Sequence, residues 1–133
     1  MNDEIVGQIS TKDRIFGKLC FEAESSYKQG NYFSALACLF VITEQIIKFS
    51  VDKIDGNFQK TILEARKEEI INEAEFETVN YLRDIRNKIF HENNIASGIE
   101  IDGKFWSFSE DETRQLIYDN FSQKIFQLVF KLL

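Results

Sequence analysis

Tyr32-Phe33-Ser34-Ala35-Leu36-Ala37-Cys38-Leu39-Phe40-Val41-Ile42-Thr43-Glu44-Gln45-Ile46-Ile47-Lys48-Phe49-Ser50-Val51 decides the fold. From Ser34 to Ile42 the stretch is apolar almost all round. A helix with no polar face belongs at the centre of a bundle. Glu44 follows this middle directly, one turn below Phe40 and beside Ile46 and Ile47. An acidic residue at that place is a candidate partner for a buried cation.

Working outward, the preceding segment reads as the first half of a helical hairpin. Ile15, Phe16, Leu19, Cys20, Ala23 and Tyr27 recur at threes and fours, as an amphipathic helix requires. Thr11 is its expected N-cap, Gln29 its end, and Gly30-Asn31 its tight connection to the central helix. Residues 1–10 are polar and read as a loose arm. Downstream, Lys53 to Gly56 is a break. A helix from Asn57 or Phe58 to Lys67 carries Phe58, Ile62 and Leu63, and Ile70 and Ile71 lie at the next turn. Another helix begins near Glu73 and reaches about His91, with Glu73, Glu75 and Glu77 at the positive end of its dipole. It ends before Asn93-Asn94.

Asp102-Gly103 between two short β-prone runs predicts a hairpin, packed on the bundle through Phe105, Phe108 or Trp106. Ser109-Glu110-Asp111-Glu112 reads as a capping box opening a last helix through Leu133. Leu116, Ile117, Phe121, Ile125, Leu128, Val129 and Leu132 form its apolar face. Phe126 and Phe130 fall off that stripe and suggest a subunit contact. The expected fold is therefore all-α: a single domain over 1–133, a bundle of about five helices with one small β-hairpin near residues 99–108.

Composition narrows the function classes. The chain has 133 residues, thirteen phenylalanines and no proline, enough for one core built from uninterrupted helices. A net charge of −6 gives no overall attraction to nucleic acid, so any RNA binding must be local. Cys20 and Cys38 have no CxxC spacing and read as small buried hydrophobes in a reducing compartment. Together with one histidine they do not make a zinc site, and neither metal nor cofactor is expected. The acidic opening Met1-Asn2-Asp3-Glu4 lacks an apolar segment behind it, and no apolar run approaches a membrane span in length. A cytoplasmic protein with no membrane partner is expected.

The chemistry-bearing residues lie in Leu82-Arg83-Asp84-Ile85-Arg86-Asn87-Lys88-Ile89-Phe90-His91. Val79, Leu82, Ile85, Ile89 and Phe90 define an apolar arc, and Arg86 falls inside it. A charge there is expensive unless something pairs with it or uses it. His91 is the only histidine in the chain. Histidine can exchange protons near neutrality, arginine can hold a phosphorane-like oxyanion, and Asn87 can orient either with its amide. Arg83 and Lys88 add local positive charge. On a straight α-helix Arg86 and His91 are roughly 140° apart around the axis. They converge only if the arginine reaches round, the helix end distorts, or two subunits each contribute one. The plainer alternatives are a histidine serving as a C-terminal cap and an Arg86–Glu44 pair that fixes helix packing.

Arg86-Asn87-Lys88-Ile89-Phe90-His91 resembles the Arg-polar-x-x-x-His motif of HEPN domains, the higher eukaryotes and prokaryotes nucleotide-binding family. The helical hairpin over 12–51, its Gly30-Asn31-Tyr32 turn, Glu44 late in the second helix, the Leu82-Arg83 step and the closing helix are similar too. The resemblance implies a helical bundle, usually a homodimer with two motifs facing one cleft. It implies a metal-independent endoribonuclease of the toxin or defence type, with RNA as substrate and a protein antitoxin or other regulator as partner. Carried over, Arg86 would hold the phosphate, Asn87 would orient, and His91 would act as acid or base. Glu44, Arg83 and Lys88 are candidate supporting residues. Asn93 stands where toxin members paired with a nucleotidyltransferase antitoxin carry tyrosine, so control through that tyrosine is not expected. The alternative is a non-catalytic module that binds a partner protein or a nucleotide.

Overall fold

The computed structural model describes residues 2–52, 56–91 and 97–133. Among them run six α-helices, α1 (Asp3–Lys12), α2 (Arg14–Lys28), α3 (Tyr32–Ser50), α4 (Phe58–Lys67), α5 (Glu73–Arg86) and α6 (Asp111–Leu132). A π-helical turn, Asn87–His91, continues α5, and the strands β1 (Gly98–Ile101) and β2 (Lys104–Ser107) form an antiparallel hairpin. The all-α bundle with one hairpin is as expected. The expected ends at Lys53–Gly56 and Asn93-Asn94 fall largely or wholly outside the described residues.

α3 is the axis. It packs against α2, α4, α5 and α6, and Leu36, Leu39, Ile42, Ile46 and Ile47 are wholly buried. It is also 19 residues long with a mean hydropathy of 1.5, long and apolar enough to cross a membrane. That corrects the expectation that no apolar run reaches such a length. In this structure 44% of that span is buried in the bundle, while Phe33, Val41 and Phe49 are exposed.

The α2–α3 connection follows from one glycine. Gly30 sits at φ +78°, its N–H bonds to Tyr27 O, and Asn31 N–H reaches back to Ser26 O at 2.9 Å. This is a Schellman ending, and a residue with no Cβ adopts it without strain. Glu69 takes the same left-handed place after α4 (φ 59°), with Ile70 N–H bonding to Ala65 O.

Three expectations are corrected. Residues 1–10 are not a loose arm, because α1 covers most of them and buries Val6 and Ile9. Its signal was masked by Gly7, Gln8, Ser10 and Thr11, which weaken helical periodicity. The α2 N-cap is Asp13, whose carboxylate accepts from Phe16 N–H, and not Thr11. Phe126 is not surplus surface, since it is wholly buried where α6 is wrapped by α1 as well as α3. Phe130 is half-buried under the Lys12 ammonium, 3.9 Å from its ring centroid. The missed helix thus explains the spare aromatic area.

α1 is held by a buried polar cluster. Glu24 accepts from the Asn2 backbone N–H and amide, each at 3.1 Å, and from the Tyr118 hydroxyl. Asn2 also donates to Ser122 Oγ at 3.0 Å. Close approach of α1 to α2 requires Gly17, where a Cβ would lie 2.6 Å from Ser10 Cα.

At the other end, Asp102 (φ 52°) and Gly103 (φ 78°) make the two-residue turn expected of Asp-Gly. Ile99 and Phe108 are buried and dock the hairpin, Trp106 is partly covered, and Phe105 is exposed. Ser109 does not cap α6. Its hydroxyl pairs with Ser107 at 2.8 Å, and Glu110 stands at the N-cap without a side-chain bond. The reciprocal capping box occurs at Asn72 and Glu75 of α5 instead.

Candidate functional site

α5 carries the motif toward the N-terminal half of α3. Val79, Leu82 and Ile85 are buried, as the wheel requires, and the next turn would extend the same face. It does not do so in α-helical form. From Asn87 to His91 the winding is π. Hydrogen bonds spanning five residues bring backbone positions five apart toward one side of the axis. The distortion required for positions 86 and 91 to approach is therefore built into the backbone here. The side chain of His91, and residues 92–96, lie outside what is described.

The two apolar residues of this turn differ in burial. Ile89 stays buried, but Phe90, expected in the arc, is 41% exposed. Its ring meets Phe33 at 5.5 Å and Phe40 at 6.0 Å between centroids, edge to face in both cases.

Arg86 reaches Glu44 across the α3–α5 contact, donating from a terminal guanidinium nitrogen to Oε1. The two side chains are only 20% and 22% exposed. Lys48 closes the other side of the carboxylate, Nζ to Oε2 at 2.9 Å. Phe58 lies beneath the guanidinium, 5.3 Å from its carbon. Burial pushes the Glu44 carboxyl upward, but hydrogen bonds and charge from Lys48 and Arg86 outweigh it and hold the group below the ordinary carboxylate range. The buried cation and the acidic partner expected from sequence are thus in contact.

That contact is not complete. Arg86 Nε is buried and has no hydrogen-bond partner among the described residues. Leaving a buried donor unmade costs about 1–3 kcal/mol.

The other predicted residues separate. Asn87 is half-buried at the end of α5, with its backbone N–H bonded to Arg83 O and Asp84 O. Arg83 turns back onto its own helix, to Asn80 Oδ1 at 3.3 Å and Asp84 at 3.0 Å, and does not join the Glu44 cluster. Lys88 is exposed and makes no ion pair among the described residues.

Sequence reasoning missed Lys48, Phe58, Phe33 and Arg114. Lys48 had a signal, the favourable Glu-to-Lys order four apart on a helix. Arg114 had none, because its place depends on the hairpin: its Nε donates to Phe108 O at 2.9 Å, and its guanidinium lies 4.8 Å from the Phe33 centroid. A separate cleft of about 400 Å³ opens between α5 and α6, lined by Asn72, Thr78, Lys124 and Lys131, away from the motif.

No protein-family model, curated protein or solved structure matches the chain.

Proposed function

We propose that this chain is a metal-independent endoribonuclease of HEPN type that acts as a homodimer. The observation that carries the reading is the α-to-π switch directly after Arg86. π turns inside helices concentrate at functional sites, and this one draws the backbone of the motif's two ends together. Glu44 and Lys48 would hold Arg86 in a fixed geometry, as a phosphate-stabilising group needs.

In this mechanism the 2′-oxygen of a ribose attacks the adjacent phosphorus and loses its proton to a base. The bond from phosphorus to the 5′-oxygen breaks, and that oxygen takes a proton from an acid. The products are a 2′,3′-cyclic phosphate and a 5′-hydroxyl. Arg86 stabilises the five-coordinate phosphorus oxyanion through its fork. His91 supplies acid or base function, Asn87 orients, and Lys88 adds positive field. The partner subunit completes the cleft. The role is that of a cytoplasmic toxin or defence component, restrained by a protein partner.

Cleavage of a fluorescent single-stranded RNA in EDTA tests this. His91→Ala and Arg86→Ala are expected to abolish it while far-UV circular dichroism stays unchanged. Arg86→Lys, which keeps a cation for Glu44 but loses the fork, is expected to fold and to lose most activity. Cleavage that survives all three overturns the reading.

A second reading has one observation in its favour: Arg86 already spends a guanidinium nitrogen on Glu44. A non-catalytic module that binds a partner protein or nucleotide would show that pair too. It predicts no cleavage and a stoichiometric complex.

A further inference from the structure

We propose that Phe90, backed by Phe33 and flanked by Arg114, is a base-stacking platform for single-stranded RNA. It would take the base of the nucleotide whose phosphate meets Arg86. The RNA assignment rests on reading Arg86 as a phosphate group's partner.

Phe90 and Phe33 are 41% and 36% exposed, on elements whose neighbouring apolar residues are buried. Two edge-to-face contacts, to Phe33 and Phe40, fix the Phe90 ring. A rigid exposed ring makes a poor surface residue and a good stacking partner, because no rotamer freedom is lost when a base arrives. The ring lies within the π turn, at the rim of the apolar arc.

Its surroundings select the ligand. Arg86 is four residues away, one turn along the axis, which is the reach of a nucleotide from phosphate to base. Arg114 lies over Phe33, and its side chain is only 16% exposed. Lys88 is exposed two residues before Phe90 in the same turn. Aromatic rings interleaved with cations are the recurring surface for unpaired nucleotides, since every base offers a π face and every step a phosphate. Arg86 and Arg114 are paired with Glu44 and Asp111, and Lys88 makes no ion pair among the described residues. A duplex keeps its bases stacked and cannot use the ring.

The test uses the full chain with a fluorescent 2′-O-methyl single strand, which lacks the attacking hydroxyl, and the same strand annealed to its complement. Anisotropy titrations at one salt concentration are expected to show the single strand bound at least tenfold tighter than the duplex. Phe90→Leu is expected to weaken single-strand binding about tenfold and leave duplex binding unchanged, and Phe90→Trp to restore it. Unchanged single-strand binding by Phe90→Leu overturns the platform. So does sedimentation showing that Phe90→Leu dissociates a dimer with no change in RNA affinity per protomer, which would assign the ring to a protein contact. Cleavage of the all-ribose strand separates the two ideas. Ring-dependent binding without cleavage leaves the platform standing and removes the nuclease. Cleavage whose KM is unmoved by Phe90→Leu leaves the nuclease and removes the platform.

Discussion

Glu24 is buried and Glu44 half-buried against α-helical neighbours, and the two carboxylates are satisfied differently. Glu24 receives neutral donors only: the Asn2 N–H and amide and the Tyr118 hydroxyl. It is 3% exposed. Glu44 is gripped by two cations, remains partly open to solvent, and leaves Arg86 Nε without a partner among the described residues. A closed polar network rigidifies a core, whereas an unfinished one leaves capacity for something else. The first cluster fastens α1 to the bundle. The second stands where the winding changes.

The largest effect is expected from deleting each carboxylate in turn. Glu24→Leu strands the Asn2 amide and the Tyr118 hydroxyl in the core and is expected to cost about 3–5 kcal/mol. Glu44→Leu lets Arg86 and Lys48 turn to water and is expected to cost about 1–2 kcal/mol. Urea denaturation of both variants decides it, and equal losses would erase the distinction. Next, Gly17→Ala forces a methyl against Ser10 backbone. It is expected to cost about 1–3 kcal/mol and to raise amide exchange through α1 while sparing α5.

Acid separates the clusters further. The Glu44 carboxyl is held below its ordinary value of 4.5. A depressed folded-state pKa contributes stability that is fully present above the unfolded value and lost as pH falls through the folded one. Stability should therefore decline below about pH 4.5. Glu44→Gln should flatten part of that decline, and a decline of identical slope in the variant would refute the assignment.

Thiol chemistry reports on the two faces more gently. Burial, aided by the Glu24 charge, pushes the Cys20 thiol up to about 12, while Cys38 is raised mainly by its lesser burial. Iodoacetamide at pH 8 is expected to label Cys38 first and Cys20 only on unfolding. The smallest effect is local: Glu69→Gly relieves a left-handed side-chain residue after α4 and is expected to stabilise by about 0.5–1 kcal/mol.

Much of the fold was legible because its signals are local. The unbroken apolar middle of α3 placed the axis, Gly30 placed the first turn, and Asp102-Gly103 placed the hairpin. α1 was not legible, because its helicity is secured by distant partners, Glu24 and Ser122, rather than by its own periodicity. The same omission made Phe126 look exposed. Ser109 offered a capping signal that lost to a neighbouring serine, a local competition that sequence spacing does not rank. At the site, an arginine in an apolar stripe and an acid on the axis helix sufficed to pair Arg86 with Glu44. Phe90 was misplaced because it stands at the rim of the apolar arc, where its ring meets Phe33 and Phe40 yet stays partly open.

The π turn from Asn87 to His91 amounts to a phase shift. A π turn holds one residue more than an α turn, so everything after it is rotated by about 100° relative to an unbroken helix. The interval from Arg86 to position 91 is thus a length of winding rather than an angle. Rewinding the same residues as an α-helix would undo that shift and swing the end of the motif away from Arg86. A single spare residue, and no rearrangement of the bundle, decides which side chains this helix end offers to the outside.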